Sequence, residues 1–358
     1  MKAISRRQFL YCSAGFFCSA ASAYALWPFS EKTGMGAGPA DICGHVFKGD
    51  APATLWKWSH EGFLYTKLDN KLVMCGICPH RCMLSPGDRS VCRSKVNMDG
   101  TLYSLTYGNP CSQNWEISQA KPHEVRHYEL FPADVVKAAQ QSGCLSIAYT
   151  YSEAVTFFEY MIDTARLARD NGVFNLWISN GYINPKPLLA LCKVLDAANV
   201  NLKAYSDAIY RRLNGGKLQP VLDTFKTLHE QHVHFEITNL VVPGYVDDDE
   251  MVKQMCGWIL ENLGPDYPLH FLRFFPKYKL DRLPSTPLST MVRFRKLAMS
   301  EGIHYVYVGN VSYPEGNNTY CHNCKKLLIE RTGYFIPTYN LDENRCKFCK
   351  TVIPGRWV

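Results

Sequence analysis

LSIAYTYSEAVTFFEYMIDTARLARDNGVFNLWISNG, residues 145–181, sets the fold class of this chain. Leu145–Thr150 is a short apolar run of the kind a buried strand makes. Val155, Phe158, Ile162 and Ala165 then recur at helical spacing through residues 154–169, and Gly172 stops the helix. A second apolar run, 174–179, follows at once. Strand, helix and strand in so short a span predict a βαβ unit with parallel strands.

The unit repeats downstream. A helix at 186–198 leads to a strand at 200–205, one at 217–230 to 233–241, one at 249–262 to 269–275, and one at 289–300 to 305–308. A short helix at 132–141, with Pro132 at its start, precedes the series. At least six such strands in series predict an α/β fold built as a closed or partly closed barrel. Chemistry in such barrels sits at the carboxyl ends of the strands.

Composition bounds the function. The chain has 358 residues, 47% of them hydrophobic, and a net charge of +7. That length supports one large α/β domain with small modules beside it. The basic residues are dispersed and do not interleave with aromatics, so no nucleic-acid partner is expected. Residues 1–26 read as an export signal: Arg6-Arg7, an apolar middle and the small residues of 20–25. The paired arginines point to the twin-arginine translocation machinery and a periplasmic or membrane-associated location; the alternative is a short buried helix. Residues 27–52 read as a linker.

Fifteen cysteines are present, and eight fall into two tight sets. Cys321-His-Asn-Cys324 and Cys346-Lys-Phe-Cys349 have the spacing of two metal knuckles, with strands expected at 327–329 and 334–336. This predicts a zinc ribbon over residues 313–358, four thiolates closing off one zinc or other tetrahedral ion, with a pair of disulfides as the alternative. Cys75-Gly-Ile-Cys78-Pro-His-Arg-Cys82, followed by Cys92, lies in a module spanning 53–106. Here a zinc or iron-sulfur site, one or two disulfides, and buried thiols all remain open, and His80 is a possible substitute ligand. Neither set has the open position and His/carboxylate shell of a zinc hydrolase.

Several segments then resemble one family. Gln113-Asn-Trp-Glu-Ile-Ser-Gln119, Tyr103-Ser-Leu-Thr-Tyr-Gly108 and Cys75-x2-Cys-Pro-His-Arg-Cys82 are similar to the radical SAM enzymes of the AmmeMemoRadiSam system, relatives of the pyruvate formate-lyase activating enzyme. At successive strand ends stand Tyr151-Ser152-Glu153-Ala154, Ser179-Asn180-Gly181, Asn201-Leu202-Lys203 and the Val-Pro-Gly turn with trailing aspartates of 241–249. These resemble the family's Gly-Gly-Glu-Pro, Ser/Thr-Asn-Gly, Asp-Leu-Lys and Val-Pro-Gly motifs. His270-Phe-Leu-Arg273 and Tyr305–Asn310 extend the match. Singly, each strand-end motif is as well explained by cap and turn chemistry.

The resemblance implies a partial radical SAM barrel over 107–312, a [4Fe-4S] cluster, and S-adenosylmethionine met by Tyr151, Ser152, Glu153, Ser179, Asn180, Gly181, Asn201 and Lys203. It further implies an electron donor and a protein or small-molecule substrate. His270 is expected as a structural or substrate-orienting residue, facing the pocket with Arg273 on the other side of the strand end. The chain departs from the family at Ala154, where Pro is usual, and at Asn201, where a carboxylate is usual. Its largest departure is at Pro110-Cys111-Ser112, where the family carries an insert, a first barrel strand and Cys-x3-Cys-x2-Cys. No such motif occurs anywhere in the chain, and Cys111 stands alone. Two readings follow: a shortened or otherwise liganded radical SAM enzyme, or a non-catalytic relative that keeps the shell as a metal-stabilised binding or scaffold protein.

Overall fold

The computed structural model describes residues 54–55, 58–108, 110, 129–333 and 335–357. The export signal, the linker, Cys111 and most of residues 109–119 lie outside them. The described chain divides into two compact units, one ending at Ile178 and the other beginning at Ser179. No described helix is long and apolar enough to cross a membrane.

The first unit opens with two small antiparallel sheets. Strands β1 (His60–Glu61), β6 (Thr101–Ser104) and β5 (Lys95–Met98) form one, and β2 (Tyr65–Lys67), β3 (Val73–Cys75) and β4 (Met83–Leu84) form the other. Trp58, Val73, Ile77, Leu84, Val96, Leu102 and Leu105 are their buried core. Helix α1 (Pro132–Gln141) starts as predicted, with proline in its first turn and the Asp134 carboxylate accepting from Phe131 N–H at 3.0 Å. Strand β7 (Ser146–Tyr149) pairs in parallel with β8 (Phe174–Ser179).

Between them the Glu153 side chain caps a short 3-10 turn that runs into α2 (Phe158–Asp170). Phe158, Met161, Ile162, Ala165 and Ala168 make its buried stripe. Glu159 is buried beside them, although charge on an apolar stripe is costly. Its partner is the buried Lys95 of β5, which forms an ion pair with it and so fastens the small sheets to α2. Phe63 N–H donates to the other Glu159 oxygen at 3.2 Å, and Ser94 Oγ donates to Thr156 O at 2.7 Å.

The second unit continues the alternation. Helix α3 (Pro185–Cys192) leads to β9 (Ala197–Asn201), α4 (Gln219–Glu230) to β10 (His234–Val241), α5 (Asp249–Asn262) to β11 (Leu269–Arg273), and α6 (Leu288–Ser300) to β12 (Val306–Gly309). Strands β9 to β12 pair in parallel in chain order. Phe235 packs on Phe225 of α4 and Phe271 on Phe294 of α6, at 5.6 Å between ring centroids in each case, so one sheet face is sealed by helices.

Two sequence expectations are corrected. The helix expected at 186–198 ends at Cys192, after which Val194 N–H closes a tight turn onto Leu191 O at 3.0 Å. Ala197 and Ala198, good helix formers by propensity, instead pair with His234 and Phe235, so β9 begins three residues earlier than expected and ends at Asn201. Leu202 and Lys203 therefore lie beyond the strand. In the ribbon, residue 334 of the strand expected at 334–336 lies outside the described residues, and the two described positions, Phe335 and Ile336, form no strand. Phe335 makes only an isolated bridge to Thr332, and β14 (Leu327–Ile329) pairs instead with β13 (Thr319–Tyr320). A second hairpin, β15 (Leu341–Asp342) with β16 (Arg345–Cys346), completes it.

Candidate functional site: strand-end turns and a thiolate ribbon

The strand-end residues of the second unit are drawn together by their own hydrogen bonds. Asn201 Nδ2 donates to Ser179 O at 3.1 Å, and Asn201 Oδ1 accepts from Lys203 Nζ at 2.9 Å. Ser179 Oγ accepts from Gly181 N–H at 3.0 Å and Asn180 Oδ1 from Tyr182 N–H at 2.8 Å, two side-chain turns in succession. Gly181 sits at φ +71, and a Cβ there would stand 2.6 Å from Val200 Cγ1, so glycine is required both for conformation and for space. The amide at position 201, where the resemblance expects a carboxylate, has a structural consequence. A carboxylate at position 201 has no hydrogen to give Ser179 O.

Three residues missed by sequence reasoning support this corner. Thr224 Oγ1 donates to Gly181 O at 2.7 Å, Tyr210 OH accepts from Lys203 N–H at 3.0 Å, and Asn239 Nδ2 donates to Leu202 O at 2.8 Å. Burial raises the Tyr210 hydroxyl well above its ordinary pKa, so it stays neutral. All three come from other elements, and nothing in their local sequence marks them.

Tyr151, Ser152 and Glu153 follow β7 in the first unit. Tyr151 holds φ +73, a region where non-glycine residues are uncommon. The resemblance aligns Tyr151-Ser152 with a Gly-Gly pair, and the backbone keeps the shape that glycine would take. The Glu153 carboxylate accepts from Val155 N–H at 3.1 Å, the cap role that any strand-end acid fills.

His270 faces Glu236, Nε2 to Oε2 at 2.7 Å, and stacks on Tyr307 at 5.0 Å. Tyr307 OH meets Thr319 Oγ1 at 2.8 Å, and the Arg331 guanidinium, 2.8 Å from the same hydroxyl, lies over the Tyr307 ring. His270 thus ties the sheet face to the ribbon. Arg273 is held elsewhere, its Nε on Thr286 O at 2.9 Å.

The ribbon gathers its four sulfurs. The ligand atoms of Cys321, Cys324, Cys346 and Cys349 all lie within 4.8 Å of one another, a spacing that fits one tetrahedral metal ion. Each Cys-x2-Cys turn closes the same way: Lys325 N–H on Cys321 O at 3.0 Å and Lys350 N–H on Cys346 O at 2.9 Å, with both lysines in the left-handed region. Hydrogen bonding with Thr351 holds the Cys349 thiol down to about 5, while burial pushes Cys321 up to about 12. Tyr305, Tyr307, Leu328, Ile329, Leu341, Ile353 and Trp357 pack around these sulfurs.

The amino-terminal cysteines share a neighbourhood without closing to that degree. Among the described residues only the ribbon brings three or more ligand atoms so close, and none of the eleven described cysteines is in a disulfide. Burial pushes the Cys75 thiol up to about 11 and Cys78 up to about 12.

Residues 109–256 match the radical SAM superfamily. That segment is a radical SAM domain. The chain is 39% identical over 326 residues to an uncharacterized protein of Methanocaldococcus jannaschii, a match covering 81% of this chain and 97% of that one. Pyruvate formate-lyase 1-activating enzyme of Escherichia coli is 25% identical over 163 residues, 42% of this chain and 66% of the enzyme. Among solved structures, a domain of pyruvate-formate lyase-activating enzyme from Bacteroides vulgatus superposes with a TM-score of 0.40 at 12% identity, over 46% of this chain and 98% of that domain. A radical SAM methyltransferase from Sphaerobacter thermophilus gives 0.42 at 13% identity, over 51% and 58%.

A radical SAM barrel implies a [4Fe-4S] cluster, and this chain's residues do not fit one there. No Cys-x3-Cys-x2-Cys is written in it. The archaeal alignment adds a matter of length: it runs over 326 residues, whereas 81% of this 358-residue chain is about 290, so about 36 aligned positions of the relative face no residue here.

Proposed function

We propose that this protein is an activating-enzyme-type radical SAM protein of the AmmeMemoRadiSam branch, and that the chain as written lacks the segment that seats the cluster. In this reading Ser179, Asn180, Gly181, Asn201 and Lys203 receive the nucleoside part of S-adenosylmethionine, and Tyr151, Ser152 and Glu153 correspond to the residues that meet its methionine part. A segment carrying Cys-x3-Cys-x2-Cys would hold the family's cluster, which would supply the electron for reductive cleavage of S-adenosylmethionine. The observation that carries the reading is the shortfall of about 36 positions against the archaeal relative, in a chain whose strand-end motifs still follow one another in the family's order.

The ribbon's four thiolates suit Zn2+ as a structural ion, since a closed thiolate shell leaves no site for substrate. Export by the twin-arginine route and an electron donor complete the proposal; that route carries folded, cofactor-loaded proteins.

The test compares two chains under anaerobic reconstitution with iron and sulfide. The chain as written is expected to take up no [4Fe-4S] cluster and to leave S-adenosylmethionine intact. With a family-type segment carrying Cys-x3-Cys-x2-Cys inserted after Pro110, it is expected to bind one cluster and release 5′-deoxyadenosine on strong reduction. Failure of the restored chain to bind a cluster sinks the proposal. The second reading, a non-catalytic binding protein, is favoured by Ala154 and Asn201; it requires the restored chain to bind S-adenosylmethionine without cleaving it.

A further inference from the structure

The amino-terminal hairpin is built like the base of a metal site. Val73 pairs with Leu84 and Met74 with Met83, so Cys75 falls opposite Cys82, and Cys75 N–H donates to Cys82 O at 3.0 Å. Cys78 lies in the turn between them, closed by Arg81 N–H on Cys78 O at 3.1 Å with Arg81 at φ +45. The loop carrying Cys92 reaches the hairpin through Val91 N–H, which donates to Cys82 Sγ at 3.5 Å.

Backbone N–H groups are aimed at three of the four sulfurs, and serine hydroxyls flank the fourth. Ile77 N–H serves Cys75, His80 N–H serves Cys78, Val91 N–H serves Cys82, and the hydroxyls of Ser90 and Ser94 stand 3.1 and 3.0 Å from Cys92. A neutral thiol is a weak acceptor that gains little from such donors. A metal-bound thiolate gains much, and outer donors of this kind orient ligands in metal sites. The ribbon uses the same device, with Asn323 and Cys324 N–H at Cys321 and Thr351 N–H at Cys349.

Charge and size point the same way. Four thiolates around Zn2+ carry a net charge of about −2, and the buried Lys95 interacts with both Cys75 and Cys92 while half-buried Arg89 and Arg93 flank the Cys92 loop. The strands here are two to four residues long, too short to support a core without a staple. We propose that Cys75, Cys78, Cys82 and Cys92 bind one Zn2+ as a second closed tetrathiolate site, which draws the Cys92 loop onto the hairpin. Its role is to hold the small sheets in the shape that presents Lys95 to Glu159.

Zinc content of the full-length chain, purified in reducing buffer, tests this. Wild type is expected to hold two ions per chain, Cys78→Ser one, Cys324→Ser one, and the double variant none. One ion in wild type, removed by Cys324→Ser and untouched by Cys78→Ser, overturns the proposal, as does iron with labile sulfide in place of the second zinc. If Cys78→Ser does not fold, alkylation of wild type decides. Protection of Cys75, Cys78, Cys82 and Cys92 that is lost on adding a chelator supports the site; equal labelling with and without chelator overturns it.

Discussion

The two cysteine quartets reach their shapes by different routes. In the ribbon, two equivalent turns each close on themselves, and sulfurs from the two turns meet at 3.6 and 3.7 Å. In the amino-terminal module the fourth cysteine arrives on a separate loop, and the module's hold on α2 runs through a buried charge 64 residues away in sequence. A local device is self-sufficient once its ion is bound. A distributed one depends on every strand that carries it.

The largest effect expected from that contrast is metal removal at the ribbon. Chelation or Cys346→Ser should cost on the order of 10 kcal/mol of metal-linked stability. Tyr305 and Tyr307, buried against the ribbon, should then become accessible, read by limited proteolysis at their flanks. A ribbon that stays protease-resistant in chelator would refute its dependence on metal.

Next is the buried pair. Glu159→Gln leaves the buried Lys95 without its carboxylate partner, and should cost about 3–5 kcal/mol in urea unfolding of the first unit. Replacing both partners, Lys95→Met with Glu159→Leu, should restore stability to within about 1 kcal/mol. Equal losses in the single and double variants would mean that the pair does not anchor the module.

Smaller effects sharpen the strand-end corner. Gly181→Ala combines a left-handed φ with a 2.6 Å approach to Val200, and should cost about 2–3 kcal/mol. Gly143→Ala, at φ +64 with open space around it, should cost about 1 kcal/mol, so the difference measures the packing contact. Asn201→Asp removes the hydrogen bond to Ser179 O and should lower stability by about 1 kcal/mol. A stabilised Asn201→Asp protein in a thermal melt would show that the Lys203 ion pair outweighs the lost amide bond.

Much of the architecture was legible because it is periodic. Ile162 and Ala165 mark the buried face of α2, and the strand-end motifs fall where the sheet places them, apart from Leu202 and Lys203. Boundaries failed where propensity and pairing disagree. Ala197 and Ala198 favour helix, but parallel partners claim them. Phe335 reads in sequence as part of a hairpin strand at 334–336, yet it is 78% exposed, and β14 pairs with β13 instead.

The amino-acid sequence by itself determined the alternation of strands and helices, the ribbon's two knuckles and the absence of a cysteine tripod, since each depends on residues close together in the chain. Tertiary structure decided that Lys95 answers Glu159, that Thr224, Tyr210 and Asn239 brace the strand-end corner, and that Tyr151 takes a backbone shape suited to glycine. Those choices depend on desolvated charges and hydrogen bonds between distant segments, whose partners exist only once the chain has folded.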